Sequence, residues 1–286
     1  MDRYYTFANI CIRVTGQTEW LTSEDAYLAP FRSECRTPRH TLHLQIVEEL
    51  DAPVGPCVFT GANRKIFYQN RNQLRYDGVR GESLKDAYMR IHRFDDDSWV
   101  QVKRSSIVDA VGAKLILAAM ELEHHMVQHH GFLFHSSYIR YGDGAILFTA
   151  PSGTGKSTQA DLWCRLRDAE LINGDRSAVV MEEGKAMVYG VPYSGSSGVS
   201  HNVTLPLKAI VRLTQAPKTI IGTLTGLAAF RHVWEGCTIN TWNRNDMSLC
   251  METVMGVVQS VPVFHLACTP DESAVIALEK ALQNVR

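Results

Sequence analysis

The first hundred residues alternate apolar and polar positions, which is the period of half-buried strands. Residues 10–14 place Ile, Ile and Val at every second position, and residues 42–46 repeat this with Leu, Leu and Ile. Further short strands are predicted at 65–68, 73–76, 89–94 and 99–102, the last two forming a hairpin around the polar turn DDDS. Residues 1–104 are therefore predicted to be a smaller, mainly antiparallel β domain with an accessory or substrate-recognition role.

The pattern changes to helical spacing at Ser106. Ser106 and Asp109 make a capping-box-like start, and apolar residues then recur three or four positions apart as far as Met126. Gly131 is the predicted stop. This helix is predicted to open the second domain, residues 105–286.

Four histidines crowd the end of this predicted helix, at 124, 125, 129 and 130. His125 and His129 lie one helical turn apart, a spacing that suits a metal pair. No third ligand follows at a typical spacing, and cationic side chains are favourable at a helix C-terminus. We interpret the cluster as structural.

From residue 132 short apolar runs alternate with turns and helices, the pattern of an α/β domain. Strands are predicted at 132–141, 145–148, 170–173, 178–180, 186–189, 209–213 and 261–267. Helices are predicted at 156–167, 248–260 and 270–284. The Gly- and Ser-rich stretch 191–202 is predicted to be a loop.

The strongest chemical signal is APSGTGKS at residues 150–157, directly after the apolar run 145–148. It fits the Walker A or P-loop pattern, a strand followed by a glycine turn and a helix, with Ala150 in place of the usual first glycine. Gly153 and Gly155 allow successive backbone N–H groups to face inward, and the new helix adds its positive end. The stretch predicts a site for the phosphates of a nucleotide.

Individual residues of this loop have separate predicted roles. Lys156 is expected to reach the β- and γ-phosphates, and Ser157 to place its hydroxyl on Mg²⁺. The predicted phosphate-binding residues are Ser152, Gly153, Thr154, Gly155, Lys156, Ser157 and Thr158.

Phosphoryl transfer also needs a carboxylate that positions Mg²⁺ or accepts a proton from the attacking hydroxyl. Asp175 ends an apolar strand 19 residues after Lys156, and one strand–helix–strand unit of that length would bring it beside the loop. Its alternative role is to start a turn or cap the next element. His135 is a third candidate, because imidazole exchanges protons near neutral pH. The alternative is a core or edge histidine.

Composition narrows the function classes. The net charge of −1 offers no bulk attraction for nucleic acid or anionic lipid. The chain has no run of 18 apolar residues and no charged-then-apolar leader, so neither a membrane span nor a signal peptide is predicted. Seven scattered cysteines, an odd number without C-x-x-C, predict reduced thiols and a cytoplasmic protein.

Residues 132–182, FLFHSSYIRYGDGAILFTAPSGTGKSTQADLWCRLRDAELINGDRSAVVME, resemble the catalytic domain of HPr kinase/phosphorylase, the bacterial serine kinase of the phosphocarrier HPr. They are most similar to its smaller relatives found beside peptide-modification genes. Residues 189–217 and 261–275 also follow the relatives' pattern, so the resemblance covers about 130–280. The family positions for a strand histidine, the loop and the following acid are matched by His135, Lys156, Ser157 and Asp175.

The resemblance implies a fold related to phosphoenolpyruvate carboxykinase, with a mixed sheet around the P-loop. It also implies ATP, Mg²⁺ and transfer of the γ-phosphoryl group to a serine of a peptide or protein, by analogy with relatives in modified-peptide pathways. Oligomers are common in the family, so a homo-oligomer is a further expectation. The family's acidic pair is reduced here to Gly174-Asp175, and residues 1–104 and the later HPr kinase signature do not match. HPr itself is therefore not the expected substrate.

The sequence thus predicts a P-loop kinase in which Lys156 neutralises phosphate charge and His135 supports the site. Asp175 serves as base or as metal ligand. Two alternatives share the same phosphate site. One is a small-molecule kinase acting on free serine or on a carboxykinase-like acid. The other is a non-catalytic nucleotide-binding module, which the missing second acid favours.

Overall fold

The computed structural model describes residues 2–16, 28–79, 83–106 and 113–284. The chain divides into two compact units, Met1–Glu121 and Leu122–Arg286. Each unit is built around one sheet. The division lies at residue 121, inside the helix predicted from Ser106, rather than at residue 104.

The first unit has eight strands and one short helix in its described part. They are β1 (Asp2–Phe7), β2 (Ile10–Gly16), β3 (His40–Val47), β4 (Cys57–Thr60), β5 (Arg64–Gln69), β6 (Asn72–Asp77), β7 (Met89–Arg93), β8 (Asp97–Lys103) and α1 (Ala113–Ala119). The strand order in the sheet is β1-β2-β3-β8-β7-β6-β5-β4.

The first sheet is mixed and mainly antiparallel, as the sequence predicted: five of its seven pairs of neighbouring strands are antiparallel. β2 pairs with β3 and β3 with β8 in parallel, and the other neighbours pair antiparallel. The long connection 17–39 explains the first parallel pair, because parallel neighbours need a crossover of a dozen or more residues. The predicted hairpin is confirmed as β7 and β8. The apolar residues of 10–14 and 42–46 are at most 6 % exposed.

The helix predicted from Ser106 is not a single helix. Its proposed cap Asp109 falls in 107–112, outside the described residues. α1 ends at Ala119, and Glu121 then has φ 44°. Glu121 is buried and accepts a hydrogen bond from Gln73 Nε2 at 2.8 Å, while Arg93 lies 3.2 Å from its other oxygen. Glu121 thus makes buried polar contacts with the sheet at the point where the predicted helix breaks. The spacing of apolar residues along the sequence does not reveal this break.

The second unit carries the predicted nucleotide site. Its helices are α2 (Leu122–Val127), α3 (Lys156–Arg167), α4 (Gly226–Trp234), α5 (Arg244–Ser260) and α6 (Glu272–Gln283). Its strands are β9 (Gly131–His135), β10 (Ser137–Tyr141), β11 (Gly144–Thr149), β12 (Glu170–Asn173), β13 (Arg176–Glu182), β14 (Lys185–Gly190), β15 (Thr204–Gln215), β16 (Ile220–Leu224), β17 (Cys237–Thr238) and β18 (Val263–Cys268).

The second sheet is mixed, as expected. Its strand order is β12-β10-β11-β15-β14-β13-β9-β17, and β18 pairs with β15 and β16. β15 runs parallel to β11 and to β18. The predicted strand 132–141 is two strands, β9 and β10, because the chain leaves one part of the sheet at Ser136 and joins another. β16, α4 and β17 were not predicted from the sequence.

Helices cover both faces of the second sheet. On β11, Ile146 and Phe148 belong to the apolar cluster that includes Trp163 of α3 and residues of α6. Leu147 belongs to the cluster that includes residues of α4 and α5. β11 is buried along its whole length, which explains why it is a continuous apolar run and not an alternating one.

The direction of the strands places the site at one edge of this sheet. β10 lies between β11 and β12 and pairs antiparallel with both. β11 and β12 therefore run in the same direction, and their carboxyl ends, Thr149 and Asn173, lie at the same edge of the sheet.

All seven cysteines are free thiols. No helix in the described part of the chain is long and apolar enough to cross a membrane.

Candidate functional site

The 150–157 loop connects β11 to α3 through two glycines with left-handed backbone. Gly153 has φ 77° and Gly155 has φ 119°, and a Cβ at either would meet no described atom within 4 Å. Glycine is needed here for backbone conformation and not for space. α3 begins at Lys156 without a capping side chain from the described residues and without an acid in its first turn. The positive end of the helix is thus open to an anion.

Lys156 folds back against the loop that precedes it. Its Nζ donates to the Ala150 carbonyl oxygen at 3.0 Å and to that of Pro151 at 3.5 Å. Burial lowers the pKa of Lys156 below its ordinary value; the Asp175 carboxylate opposes this shift and Arg212 adds to it. The carbonyl partners carry no net charge, so the ammonium remains able to pair with an anion.

Asp175 follows β12 and is fixed by backbone hydrogen bonds. The backbone N–H groups of Asp175 and Arg176 donate to Asn173 Oδ1 at 2.9 and 3.0 Å. Asn173 is fully buried, and its Nδ2 donates to the Val191 carbonyl oxygen at 2.7 Å. The Ser136 N–H donates to the Asp175 carbonyl oxygen at 3.0 Å. Asn173 was missed in the sequence, where the NGD tripeptide is its signal, since Asn side chains bind backbone N–H groups two residues on.

Two basic side chains flank the Asp175 carboxylate. His135 Nε2 lies 3.7 Å from Oδ1, and Arg176 Nε lies 3.4 Å from Oδ2. β9 brings His135 there because its register partner in β13 is Arg176. Arg176 Nη1 also donates to Thr238 Oγ1 at 3.1 Å, and its guanidinium lies 5.3 Å from the centre of the Tyr193 ring. In the structure Arg176 thus pairs with the Asp175 carboxylate.

The Gly- and Ser-rich segment 194–197 packs closely against Asp175. Gly195 has φ 56°, and a Cβ there would lie 2.7 Å from the Asp175 Cβ. A Cβ on Gly174 would collide with the Ser197 hydroxyl, which itself donates to the Ser194 carbonyl oxygen at 2.7 Å. The two glycines therefore permit a close approach of two segments.

If the phosphoryl transfer predicted from the sequence takes place at Asp175, we expect Gly195→Ala to slow that transfer about tenfold, because the new methyl group must displace the Asp175 side chain. It should also lower the free energy of unfolding by about 1–2 kcal/mol, the cost of a left-handed non-glycine residue. Initial rates and urea unfolding measure the two effects. Gly198→Ala is the matched control, because Gly198 has φ 68° but a Cβ there would meet no described atom within 4 Å. Equal rates in the two variants would contradict the expected collision.

Lys156, His135 and Asp175 line one cavity of about 320 Å³. Most of the predicted phosphate-binding residues line it too. The full set is His135, Ser152, Gly153, Gly155, Lys156, Ser157, Thr158, Gly174, Asp175 and Ser196. Thr154 is the predicted residue that does not line it, and Gly174 and Ser196 line it without having been predicted as site residues. The structure thus brings one ammonium and one carboxylate to the same cavity.

Ser157 and Asp175 are the residues of this cavity that fit Mg²⁺. Protein-bound Mg²⁺ commonly takes one or two carboxylates together with substrate phosphates and waters. One hydroxyl and one carboxylate fit that ion when a phosphate supplies further oxygens. No group of three or more His, Cys, Asp or Glu side chains elsewhere among residues 2–16, 28–79, 83–106 and 113–284 is arranged to hold a metal.

The pKa of His135 gives a direct check of anion binding in the cavity. Burial lowers it below its ordinary value, Lys156 lowers it further and Asp175 opposes both. A bound anion favours the imidazolium, so we expect inorganic pyrophosphate to raise the pKa of His135 in an NMR titration. Lys156→Ala should raise it without any anion. His135→Gln assigns the resonance, and a pKa that pyrophosphate leaves unchanged would contradict an anion site here.

His124, the first histidine of the cluster, lies in α2 and has a structural role. His124 Nδ1 lies 2.8 Å from Asp246 Oδ2, close to the start of α5. Gln128 and Asn240 also donate to the Asp246 carboxylate, at 3.2 and 3.3 Å. Asp246 is 1 % exposed. These hydrogen bonds satisfy a buried carboxylate and connect α2 to α5.

No protein-family model and no curated protein matches the chain. Among solved structures, it is similar to the HPr(Ser) kinase/phosphatase from Coxiella burnetii, with a TM-score of 0.32 and 12 % sequence identity. The match covers 53 % of this chain and 88 % of that one. A likeness at this level assigns neither a family nor an activity. The function is therefore argued from the site itself.

Proposed function

We propose that this chain is an ATP- and Mg²⁺-dependent kinase that transfers the γ-phosphoryl group to a hydroxyl, in particular that of a serine in a peptide or protein. The observation that carries the proposal is the shared cavity of Lys156 and Asp175 at the glycine loop. A cation for phosphate and a carboxylate for the acceptor are the two protein groups that phosphoryl transfer needs most.

The phosphates are held by the loop and by α3. Backbone N–H groups of 152–157 and the open N-terminal end of α3 bind phosphate oxygens. Lys156 exchanges its contact with the Ala150 carbonyl for the β- and γ-phosphates and stabilises the charge that develops on the transferring group. Ser157 would hold Mg²⁺, together with Asp175 where that carboxylate acts as metal ligand, and the ion would supply further positive charge to the phosphates.

The carboxylate of Asp175 accepts the proton of the acceptor. A bond forms between the acceptor oxygen and the γ-phosphorus, and the bond to the bridging oxygen of ADP breaks. The hydroxyl proton passes to Asp175, and the electron pair of the broken bond stays on ADP. Arg176, 3.4 Å from the carboxylate, and the Asn173 turn fix its direction. His135 lies beside it, and without bound phosphates burial and Lys156 lower the pKa of its imidazole below the ordinary value.

The acceptor class comes from the resemblance in sequence, and the cavity is compatible with it. Ser196, in the segment 194–197, forms part of the cavity wall. An extended segment that presents one serine hydroxyl can approach Asp175 from that side. A small acceptor such as free serine uses the same groups.

The test is transfer of label from [γ-³²P]ATP in the presence of Mg²⁺. Serine-containing peptides, free serine and small hydroxy acids are offered separately, and mass spectrometry locates the added phosphate. Label on a peptide serine supports the proposal as stated. Label on free serine or a hydroxy acid would mean that the acceptor is a small molecule and not a peptide or protein. Tight ATP binding without transfer or hydrolysis would replace the kinase by a nucleotide-binding module.

A further inference from the structure

A second and larger cavity, of about 590 Å³, lies against the same glycine loop. Gly153, Gly155 and Thr158 line both cavities. The two spaces therefore meet along the loop, and a ligand with its phosphates in the first can extend into the second. A volume of this size lies within the range of sites for nucleotide-sized molecules.

The walls of the second cavity come from two strand ends. β15 and β18 run parallel, and Gln215 pairs in register with Cys268 where both strands end. β15 is also parallel to β11, so the cavity lies at the same carboxyl edge as the loop, where open α/β sheets bind ligands. Leu213, Ala216 and Pro270 give the cavity apolar surface, which suits a flat ring and not a phosphate.

One buried polar side chain in this wall lacks a partner. Gln159 of α3 is 2 % exposed, and its Nε2 donates to Cys268 Sγ at 3.4 Å. Its Oε1 has no hydrogen-bond partner among the described residues. An unsatisfied buried amide oxygen is costly unless a donor satisfies it. The loop carbonyl nearby, that of Thr154, already accepts from Gln215 Nε2 at 3.4 Å.

We propose that this second cavity binds the nucleoside half of the nucleotide whose phosphates lie on the loop, a flat heteroaromatic base that carries an N–H donor, with Gln159 as its polar partner. The inference rests on the proposed function, since it needs phosphates in the first cavity. The base packs between the apolar side chains at the ends of β15 and β18, and an N–H of the ligand donates to Gln159 Oε1.

The test compares ADP with inorganic pyrophosphate by isothermal titration calorimetry, both with Mg²⁺. Pyrophosphate probes the loop alone, and ADP probes both cavities. We expect the wild-type protein to bind ADP about 100-fold more tightly than pyrophosphate, because burial of a base in an apolar cavity adds to the phosphate contacts. Ala216→Trp, which fills the second cavity, should reduce this ratio to about threefold and leave pyrophosphate binding unchanged.

Two further variants keep the result interpretable. Ile220→Trp is the matched control, since Ile220 is 67 % exposed and does not line the cavity; it should keep the wild-type ratio. Gln159→Leu should weaken ADP about tenfold and pyrophosphate not at all, because it removes the polar partner and keeps the apolar volume. If Ala216→Trp fails to fold, the ADP and pyrophosphate affinities of Gln159→Leu alone test the nucleoside site.

The outcomes separate the two proposals. A wild-type protein that binds pyrophosphate and ADP equally tightly overturns the nucleoside site and leaves the phosphate loop in place. A wild-type protein that binds neither overturns the proposed function, and the nucleoside site with it. ADP binding that survives both Ala216→Trp and Gln159→Leu at full strength also overturns the inference.

Discussion

Lys156→Ala is expected to abolish measurable phosphoryl transfer while the protein stays folded. Lys156 is the one ammonium that lines the 320 Å³ cavity, within the described residues, and no neutral side chain replaces the charge it brings to the transferring group. Loss of such a preorganised charge costs about 3–4 kcal/mol of transition-state stabilisation, which corresponds to about 100- to 1,000-fold in rate. Initial rates with [γ-³²P]ATP measure the effect.

The stability of this variant should move in the opposite direction from its activity. Burial lowers the pKa of Lys156, which means that the folded state disfavours the charged form relative to the unfolded chain. Removing the charge relieves that cost, so we expect a melting temperature at or above that of the wild type. Lys185→Ala, at the exposed first residue of β14, is the control and should change neither quantity. Near-normal turnover in Lys156→Ala would refute the kinase assignment.

Asp175→Asn is expected to lower kcat by about 100- to 10,000-fold, the range for loss of a general base. Asparagine keeps the shape of the side chain but cannot accept the hydroxyl proton. ATP binding, measured by calorimetry, should weaken far less than turnover. Asp143→Asn is the matched control, because Asp143 is 90 % exposed in its side chain and pairs with Lys208 on the surface.

The comparison of binding with turnover also divides the two roles of Asp175. If Asp175 acts as base, the loss in kcat is the same at every Mg²⁺ concentration. If it acts chiefly as metal ligand, ATP binding falls in parallel with turnover, and higher Mg²⁺ restores part of both. A variant with wild-type kcat would remove Asp175 from the chemistry altogether.

Local chemistry of the sequence was enough to predict most of the residues that line the 320 Å³ cavity. The loop 150–157 and the helix 156–167 were predicted with their observed limits, because glycine, lysine and the apolar run of β11 follow one another along the chain. Asp175 was placed beside the loop from the length of one strand–helix–strand unit. The structure adds that β10 stands between the two strands, an arrangement that length alone does not contain.

Contacts between segments that are far apart along the chain could not be predicted from the sequence. Asn173 orients Asp175 through a bond to Val191, and Gly195 approaches Asp175 from a loop 20 residues later in the chain. The second cavity needs the ends of β15 and β18, which are adjacent only because of their parallel pairing. The alternation of residues 1–104 also did not reveal which neighbouring strands are parallel. A strand with one buried face alternates apolar and polar residues in the same way whether its neighbours are parallel or antiparallel.

The position of β10 sets the distance between the glycine loop and the Asp175 carboxylate. With one strand between β11 and β12, the gap from the glycine loop to the carboxylate corresponds to two interstrand spacings, about 10 Å. Backbone hydrogen bonding determines that width, whatever the size of the side chains or the length of α3. Insertions in the helix or its connections would bulge outward and leave the gap untouched. Variants of this chain with different lengths between Lys156 and Asp175 would therefore keep the same gap.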